Sequence, residues 1–264
     1  MSKQVCPIGF FDSGVGGTSI WKEMIKILPN EHTIYLADSA NAPYGKKTKE
    51  QIVALSEKNT KFLLSQGCKM IVVACNTATT NAISYLRAKY NVPFIGIEPA
   101  IKPAAFYTKT NTIGILATQG TLSSELFAKT SNEFASDVRV IEQVGKGLVE
   151  LIEDNRIDSD EMQDLLRSYL EPMMASEIDH LILGCTHYPY LIPHIKKIVG
   201  DKVSIIDSGY AVSKQIKKVL QNQNSLNQST RRGSYQFYTN SDKKVLENLL
   251  DDVKHPLNVK QANF

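Results

Sequence analysis

"KMIVVACNTAT" (residues 69–79) holds the pattern that decides the fold. Its first half is a short, unbroken apolar run, the kind of strand that is buried on both faces of a parallel sheet. The run ends directly in Cys75, Asn76 and Thr77, and a helical pattern follows. We therefore predict a parallel strand whose carboxyl end carries a thiol, an amide and a hydroxyl.

Short apolar runs and longer helical patterns alternate along the rest of the chain. The other strand-like runs are PIGFFD, HTIYLAD, VPFIGI, TIGILAT, VRVIEQ, DHLILG, VSIID and SYQFYTN. In the second half, helical patterns fall near 121–134, 145–155, 159–175, 189–199 and 210–222, and the polar stretch 221–233 is expected to be an exposed connection. Strands that alternate with helices form βαβ units, so the sequence predicts an α/β protein with parallel sheets.

Two internal echoes suggest a pair of similar lobes. "VVACNT" at 72–77 recurs as "LILGCTH" at 181–187, and "FFDSG" at 10–14 recurs as "IIDSG" at 205–209. In each copy a polar cluster follows an apolar strand. A pseudo-symmetric pair of α/β lobes would account for both echoes.

Composition argues against several classes of protein. The net charge is only +3, and basic residues are not interleaved with aromatic ones, so we expect no nucleic-acid partner. The apolar runs are far shorter than the roughly 20 residues of a membrane span. The first ten residues also lack the apolar core of a signal peptide. We therefore expect a cytoplasmic protein without a membrane partner.

The four cysteines divide into two kinds. In a reducing cytosol they are expected to be free thiols rather than disulfides, and the absence of a C-x-x-C pair argues against a structural zinc site. Cys6 and Cys68 are expected to be structural. Cys75 and Cys185 each end a strand next to a threonine and precede a helix, whose positive N-terminal end favours a thiolate. The plainer interpretation of each, as a small buried hydrophobe, stays open.

Further polar groups stand at the same kind of position. In open α/β sheets, ligands bind beyond the carboxyl ends of the strands. Asp12 and Ser13 follow the first strand, and Thr186 and His187 follow Cys185. His187 is either a core histidine or an imidazolium that lowers a thiol pKa or assists proton transfer.

The glycine-rich "DSGVGG" (12–17) does not have the spacing of a phosphate loop. Asp12 stands at its mouth, where a carboxylate would repel a phosphate and suit an ammonium group better. Gly14, Gly16 and Gly17 are expected to permit tight turning and close approach of the backbone.

Two thiols, a carboxylate and several small donors suit the inversion of a carbon centre. One base removes a proton from one face of Cα while an acid on the other face supplies another, and a thiol can do either. Amide and hydroxyl groups would bind the substrate carboxylate, and no cofactor is required. The same pattern leaves open a racemase for another amino acid, a thiol-dependent lyase or an amino-acid-binding protein.

At these residues the sequence resembles the glutamate racemases of the cofactor-independent aspartate/glutamate racemase superfamily. The matching stretches are IGFFDSGVGGTSI, YLADSANAPYG, VVACNTATT, PFIGIEPAIKPA and LILGCTHYPYL. The resemblance implies two doubly wound parallel-sheet α/β domains with a pseudo-two-fold relation and an active site in the inter-domain cleft. The first domain would comprise residues 1–98 plus 208–264, and the second 99–207.

The resemblance also implies an activity and a set of residues. The activity is racemisation of L-glutamate to D-glutamate for peptidoglycan, with no cofactor and commonly in a homodimer. Cys75 and Cys185 would be the catalytic thiols, with Asp12 and His187 as auxiliary groups. Glu153 is the expected auxiliary glutamate, and Glu150 is the alternative. The positions that match substrate-binding residues are Asp12, Ser13, Tyr44, Gly45, Asn76, Thr77, Thr186 and His187.

Overall fold

A computed structural model describes residues 3–264, and within that range it contains ten strands and eleven α-helices. The strands are β1 Ile8–Asp12, β2 Thr33–Ala37, β3 Met70–Val73, β4 Phe94–Gly96, β5 Thr112–Ala117, β6 Arg139–Val144, β7 His180–Gly184, β8 Ser204–Ile206, β9 Tyr235–Thr239 and β10 Asn258–Gln261. The helices are α1 Thr18–Ile27, α2 Lys49–Ser65, α3 Asn76–Lys89, α4 Ile101–Tyr107, α5 Gln119–Leu122, α6 Glu125–Phe134, α7 Leu148–Glu153, α8 Asp160–Ala175, α9 Ile192–Val199, α10 Gly209–Asn222 and α11 Lys243–Leu249.

The strands form two all-parallel sheets, which confirms the predicted fold class. The first sheet has the order β10-β9-β2-β1-β3-β4, and the second has the order β6-β5-β7-β8. Four strands of the first sheet, in the order β4-β3-β1-β2, match the order β8-β7-β5-β6 of the second sheet. In both sets, the third strand along the chain lies between the first and the fourth. The strands that precede the two cysteines, β3 and β7, therefore occupy equivalent positions.

One of the two internal echoes is thereby explained and the other is not. The equivalence of β3 and β7 accounts for the likeness of residues 72–77 and 181–187. "FFDSG" lies at the carboxyl end of β1, whereas "IIDSG" lies at the carboxyl end of β8, an edge strand that corresponds to β4. The expectation that the lobes account for both echoes is therefore wrong for this pair.

The central strands are buried on both faces, as a parallel sheet between two helical layers requires. All five residues of β1 are buried. Phe10 packs in one hydrophobic cluster with Trp21 of α1, and the next residue, Phe11, packs in another with Leu63 of α2. The first of these clusters continues into the second sheet through residues such as Leu183 of β7, so one core joins the two halves.

Capping residues and a glycine set the ends of α2 and α3. The Thr48 side chain accepts a hydrogen bond from the Gln51 amide, and the Gln51 side chain accepts one from the Thr48 amide, which is the predicted capping box of α2. Gly67 adopts φ +75° just after this helix, the left-handed conformation that glycine tolerates best. Cys75 is the N-cap of α3, so the thiol is held at the positive end of that helix.

Two local predictions are wrong in detail, and two elements were not predicted. The helix expected at 121–134 is two helices, because the Ser124 side chain caps a new one by accepting from the Phe127 amide. Helix α4 and strand β10 were not predicted. Pro103 lies in the first turn of α4, where its missing N–H costs no helical hydrogen bond. Within 221–233, Ser225 and Asn227 are buried instead of exposed.

The buried part of that connection meets a buried ion pair. Lys69 Nζ lies 2.7 Å from Glu31 Oε2, and both side chains are essentially inaccessible to solvent. Lys69 also donates to the Ser225 carbonyl at 2.7 Å, and Glu31 accepts from the Asn227 amide at 2.8 Å. These contacts tie the polar connection to the first sheet. Among residues 3–264, no helix combines the length and apolarity that crossing a lipid bilayer requires.

Candidate active site

A small enclosed cavity lies where the carboxyl ends of β1, β3, β5 and β7 meet, and its free volume of about 10 Å³ is room for about one water molecule. Both halves of the molecule contribute to its wall. The lining residues are Ser13, Pro43, Tyr44, Gly45, Cys75, Asn76, Thr77, Thr118, Val149, Cys185, Thr186 and His187. The structure therefore brings one thiol from each sheet to a single cavity.

Cys75 occupies the wall formed by the first sheet. Its Sγ accepts a hydrogen bond from the Ala78 amide at 3.4 Å and donates one to Ser13 Oγ at 3.6 Å. Burial raises the pKa of the Cys75 thiol well above its usual range, and the negative charge of Asp12 raises it further. Cys75 is therefore a thiol that holds its proton in this state.

Cys185 occupies the wall formed by the second sheet, and its surroundings differ. Its Sγ lies 3.7 Å from His187 Nδ1. The other ring nitrogen, Nε2, lies 2.6 Å from Glu153 Oε1. Burial lowers the pKa of His187, but the hydrogen bonds and negative charges of Cys185 and Glu153 together outweigh it and hold that pKa well above the usual value. An imidazolium at this place stabilises a negative charge on the Cys185 sulfur.

Glu153 is fixed by contacts on both carboxylate oxygens. Oε1 accepts from the Val15 amide at 2.7 Å, and Oε2 accepts from Ser39 Oγ at 2.9 Å. Burial raises the pKa of Glu153, but the His187 hydrogen bond and charge, the Val15 amide and Ser39 outweigh burial and lower it overall. Glu150, the alternative auxiliary glutamate, instead forms an ion pair with Lys46 at 2.5 Å.

Asp12 is a fully buried carboxylate behind the cavity wall: it does not itself line the cavity, but it contacts Ser13 and Thr186, which do. Its Oδ2 accepts from the Gly17 amide at 2.7 Å, and Thr186 Oγ1 lies 3.5 Å from each of its oxygens. Burial raises the pKa of Asp12 to about 6, because the loss of water outweighs the nearby positive charge of His187. The group therefore changes charge close to neutral pH and can pair with an ammonium ion.

The glycines of "DSGVGG" make room for the charged pair. A Cβ on Gly14 would lie 1.8 Å from Glu153 Oε1, and a Cβ on Gly16 would lie 2.3 Å from His187 Nδ1. Their φ angles are not in the left-handed region, so the close approach of side chains is what excludes a larger residue here.

The amide of Asn76 has no partner within the protein. Asn76 as a whole is 2% exposed, and neither Oδ1 nor Nδ2 has a hydrogen-bond partner. Buried polar groups normally have partners, and an isolated one costs free energy. Because Asn76 lines the cavity, we infer that its amide is available for a bound polar molecule.

Part of this wall, most clearly Thr118 and Val149, was not predicted from the sequence. Thr118 Oγ1 lies 2.8 Å from Thr77 Oγ1 across the boundary between the two halves. The signal was present, because Thr118 directly follows the strand "TIGILA", but it has no neighbouring thiol to draw attention to it. Tyr44 was predicted, and its hydroxyl donates to Asp38 at the end of β2.

Comparison with known proteins agrees with this architecture. A family model described as Asp/Glu/Hydantoin racemase matches residues 8–216, most of the chain. The chain belongs to the Asp/Glu/hydantoin racemase family. The resemblance expected from the sequence is thereby confirmed, and the chain is an isomerase.

Individual members of the racemase family show which enzymes the chain is similar to in sequence and structure. The glutamate racemase of Herpetosiphon aurantiacus is 45% identical over 236 residues, which cover 89% of this chain and 93% of that one. A Bacillus anthracis glutamate racemase superposes with a TM-score of 0.87 at 30% identity, covering 99% and 98% of the two chains. The Escherichia coli glutamate racemase, solved with L-glutamate and an activator, gives 0.85 at 29% identity over 97% and 98%. The chain falls among the glutamate racemases of the family.

Proposed function

We propose that this racemase interconverts L- and D-glutamate by two-base chemistry in which Cys75 and Cys185 act on opposite faces of Cα. The observation that carries the proposal is that two thiols from different sheets line one cavity with different electrostatic surroundings. Glutamate as the substrate rests on relatives such as the Escherichia coli enzyme solved with L-glutamate.

In the direction from L-glutamate, the Cys185 thiolate removes the proton from Cα. The electron pair of the broken C–H bond moves toward the substrate carboxylate. Cys75 donates its own proton to the opposite face and becomes a thiolate. Cys185 ends as a thiol, so the roles are exchanged for the reverse reaction and no cofactor takes part. The protonated Cys75 and the imidazolium beside Cys185 suit this starting state.

The remaining groups suit the charges of an amino acid. Asp12 is the carboxylate available to the substrate ammonium group, with Ser13 at its side. Asn76, Thr77 and Thr186 can donate to substrate carboxylates, where negative charge develops as the proton leaves. The partnerless Asn76 amide supports this assignment because a bound carboxylate would satisfy it.

Four further residues complete the proposed site, two in the cavity wall and two in the His187–Glu153 pair. Tyr44 and Gly45 would close the cavity over the substrate. His187 would stabilise charge on Cys185, and Glu153 would act through His187 as a positioning residue. Glu153 is favoured over Glu150 because its carboxylate contacts the imidazole.

The division of the chain into domains follows the sheets. We propose that residues 1–98 plus 208–264 form one domain and 99–207 the other. The first sheet takes its strands from both ends of the chain, and the second takes them from the middle. In addition, α10 at 209–222 packs its apolar face into the same cluster as α1.

We further propose a cytoplasmic homodimer that supplies D-glutamate to peptidoglycan, without a nucleic-acid or membrane partner. A reducing compartment would keep the catalytic thiols free, and the small net charge of +3 gives little attraction to nucleic acid. Sedimentation analysis of the protein at several concentrations tests the dimer.

The activity is tested by incubating the reduced protein separately with L-glutamate, D-glutamate and L-aspartate and following optical rotation. The proposal expects both glutamate enantiomers to converge on a racemic mixture and aspartate to react at least tenfold more slowly. Binding of glutamate without any change of rotation would contradict the enzyme, and faster turnover of aspartate would contradict the substrate.

A further inference from the structure

A second cavity, more open to solvent, adjoins the first. The two share part of their walls at Pro43, Gly45, Thr118 and Val149. The outer cavity is also lined by charged residues, namely Lys46, Lys47, Lys146 and Glu150. The shared wall is thus the barrier between the enclosed cavity and its more open neighbour.

An ion pair lies beside this barrier, in the wall of the outer cavity. Lys46 Nζ lies 2.5 Å from Glu150 Oε1, and the two side chains are 63% and 33% exposed. Lys46 follows Tyr44 and Gly45 directly in the chain, whereas Glu150 lies on α7, one turn before Glu153. The pair therefore joins the segment that covers the cavity to the helix that carries the partner of His187.

Other contacts hold the same segment against the second half of the molecule. A Cβ on Gly120 would lie 3.1 Å from the Cα of Gly45, so the two backbones touch closely. A second, longer ion pair joins Lys49 Nζ to Glu125 Oε2 at 3.7 Å, between α2 and α6. Residues 43–49, which we call the cover segment, thus make both backbone and charge contacts across the boundary.

The enclosed cavity requires this wall to move. The residues Asn76 and His187 are 2% and 1% exposed, and Tyr44 and Val149 in the wall are 1% and 4% exposed. Separation of the cover segment from α7 would open such a site to an amino acid, and it would break the Lys46–Glu150 contact. Closure would then bring the lining groups together around the bound molecule.

We propose that the Lys46–Glu150 ion pair is a latch that holds the cover segment and α7 together over the bound substrate. The inference rests on the proposed racemisation and adds two positioning residues to it. The ion pair raises the fraction of molecules in which the cover segment and α7 are closed over the cavity. Because affinity falls in proportion to the population of the binding-competent state, loss of the latch weakens substrate binding.

Removal of the ion pair is expected to raise KM by a modest factor. Partly exposed ion pairs contribute little, so removal of this one should raise KM by roughly two- to fivefold. The thiols are untouched, so kcat should change by less than about twofold, which is the signature of lost uniform binding. High salt screens exposed charges and should raise the wild-type KM in the same direction.

The test is a charge-swap cycle measured on steady-state racemisation of L-glutamate. Lys46→Gln and Glu150→Gln should each raise KM by the stated factor, and the double variant Lys46→Glu with Glu150→Lys should restore it to within about twofold of wild type. Arg156→Gln serves as the control, because its pair with Glu161 at 2.6 Å is similarly exposed and lies wholly in the second half.

Several outcomes would overturn the latch. Single variants with wild-type KM would do so, as would a swap that fails to recover binding, or an Arg156→Gln variant with the same defect. A loss of kcat by orders of magnitude in Glu150→Gln would make Glu150 part of the chemistry instead. Failure of the proposed function is a separate result, because the wild-type protein would then not racemise glutamate at all.

Discussion

The His187 ring and the Glu153 carboxylate form a partly buried pair, with 2.6 Å between Nε2 and Oε1, and the other ring nitrogen faces the Cys185 thiol. Sequence distance hides this relationship, because the two residues are 34 positions apart. The pair connects a fixed negative charge, through the imidazole, to one of the two sulfurs. Its consequences can be measured as pH effects.

Glu153→Gln should shift the pH dependence of the reaction. The amide keeps the shape of the carboxylate but removes the charge that helps to hold the pKa of His187 high. A protonated His187 is lost as pH rises through its pKa, so the alkaline limb of kcat/KM should move to lower pH. We expect a loss of roughly 10- to 100-fold at pH 8.5 and a smaller loss at pH 6.5.

A second variant on α7 shows whether an effect of Glu153→Gln comes from the lost charge or from damage to the helix. Glu150→Gln lies on the same helix but does not contact His187, so its pH profile should keep the wild-type limbs. If Glu153→Gln lowers the rate equally at every pH, the electrostatic role assigned to Glu153 is wrong.

Asp12→Asn should stabilise the fold while it removes activity. The pKa of Asp12 is raised from 3.8 to about 6 by burial, so the folded protein binds this proton more tightly than the unfolded chain does. Ionised Asp12 therefore costs stability, and the cost develops as pH rises from 3.8 to about 6 and persists above that. Removing it should gain up to about 3 kcal/mol at pH 8.

Urea unfolding at pH 8 and at pH 4.5 measures this effect. The gain in the free energy of unfolding should be large at pH 8 and should shrink at pH 4.5, where the wild-type carboxyl is largely protonated in the folded state. A variant that is less stable than wild type at pH 8 would show that the ionised group is favourable where it lies.

Gly16→Ala should disable the site by geometry alone. The new Cβ would lie 2.3 Å from His187 Nδ1, a distance that forces the imidazole or the loop to move. We expect at least a roughly 100-fold loss of kcat, because displacement of a positioned group by about 1 Å is costly. Gly67→Ala is the control, since it strains a left-handed residue with open space around it and should lower stability by about 1 kcal/mol without changing kcat. Wild-type kcat in Gly16→Ala would contradict this account of the loop.

Lys69→Met should be strongly destabilising although Lys69 lies outside the site. It would leave the Glu31 carboxylate buried without its cation, for which a cost of about 3–5 kcal/mol is expected. Lys22→Met provides the comparison, because the pair of Lys22 with Asp252 is partly exposed and should be worth less than about 1 kcal/mol. Equal losses in urea unfolding would mean that burial does not set the strength of the Lys69 pair.

Much of the fold and the polar ends of the central strands could be predicted because those features are local. "KMIVVA" reads as a doubly buried strand, and the polar residues that follow it necessarily lie at its carboxyl end. Strand β10 could not be found in the same way, since its residues are largely exposed and carry no apolar pattern. The pairing partner β9, not its own sequence, makes it a strand.

The detailed environment of the thiols lay beyond the sequence for a similar reason. Ser39 and Val15 hold Glu153, and Thr118 meets Thr77, only because two sheets bring distant segments together. The difference between Cys75 and Cys185 likewise depends on which charged groups pack beside each sulfur. Sequence identified both as thiols at strand ends, and packing makes them unlike.

The isotope content of substrate and product in D₂O tests the two-base proposal most directly. Reduced protein is given L-glutamate in D₂O, stopped after a small fraction has turned over, and both enantiomers are analysed at Cα. The account predicts deuterium in the D-glutamate formed and protium in the L-glutamate that remains, because one sulfur removes the proton and the other delivers a solvent-derived deuteron. Deuterium at equal levels in recovered L-glutamate would mean that a single base serves both faces, and the opposed roles of Cys75 and Cys185 would be wrong.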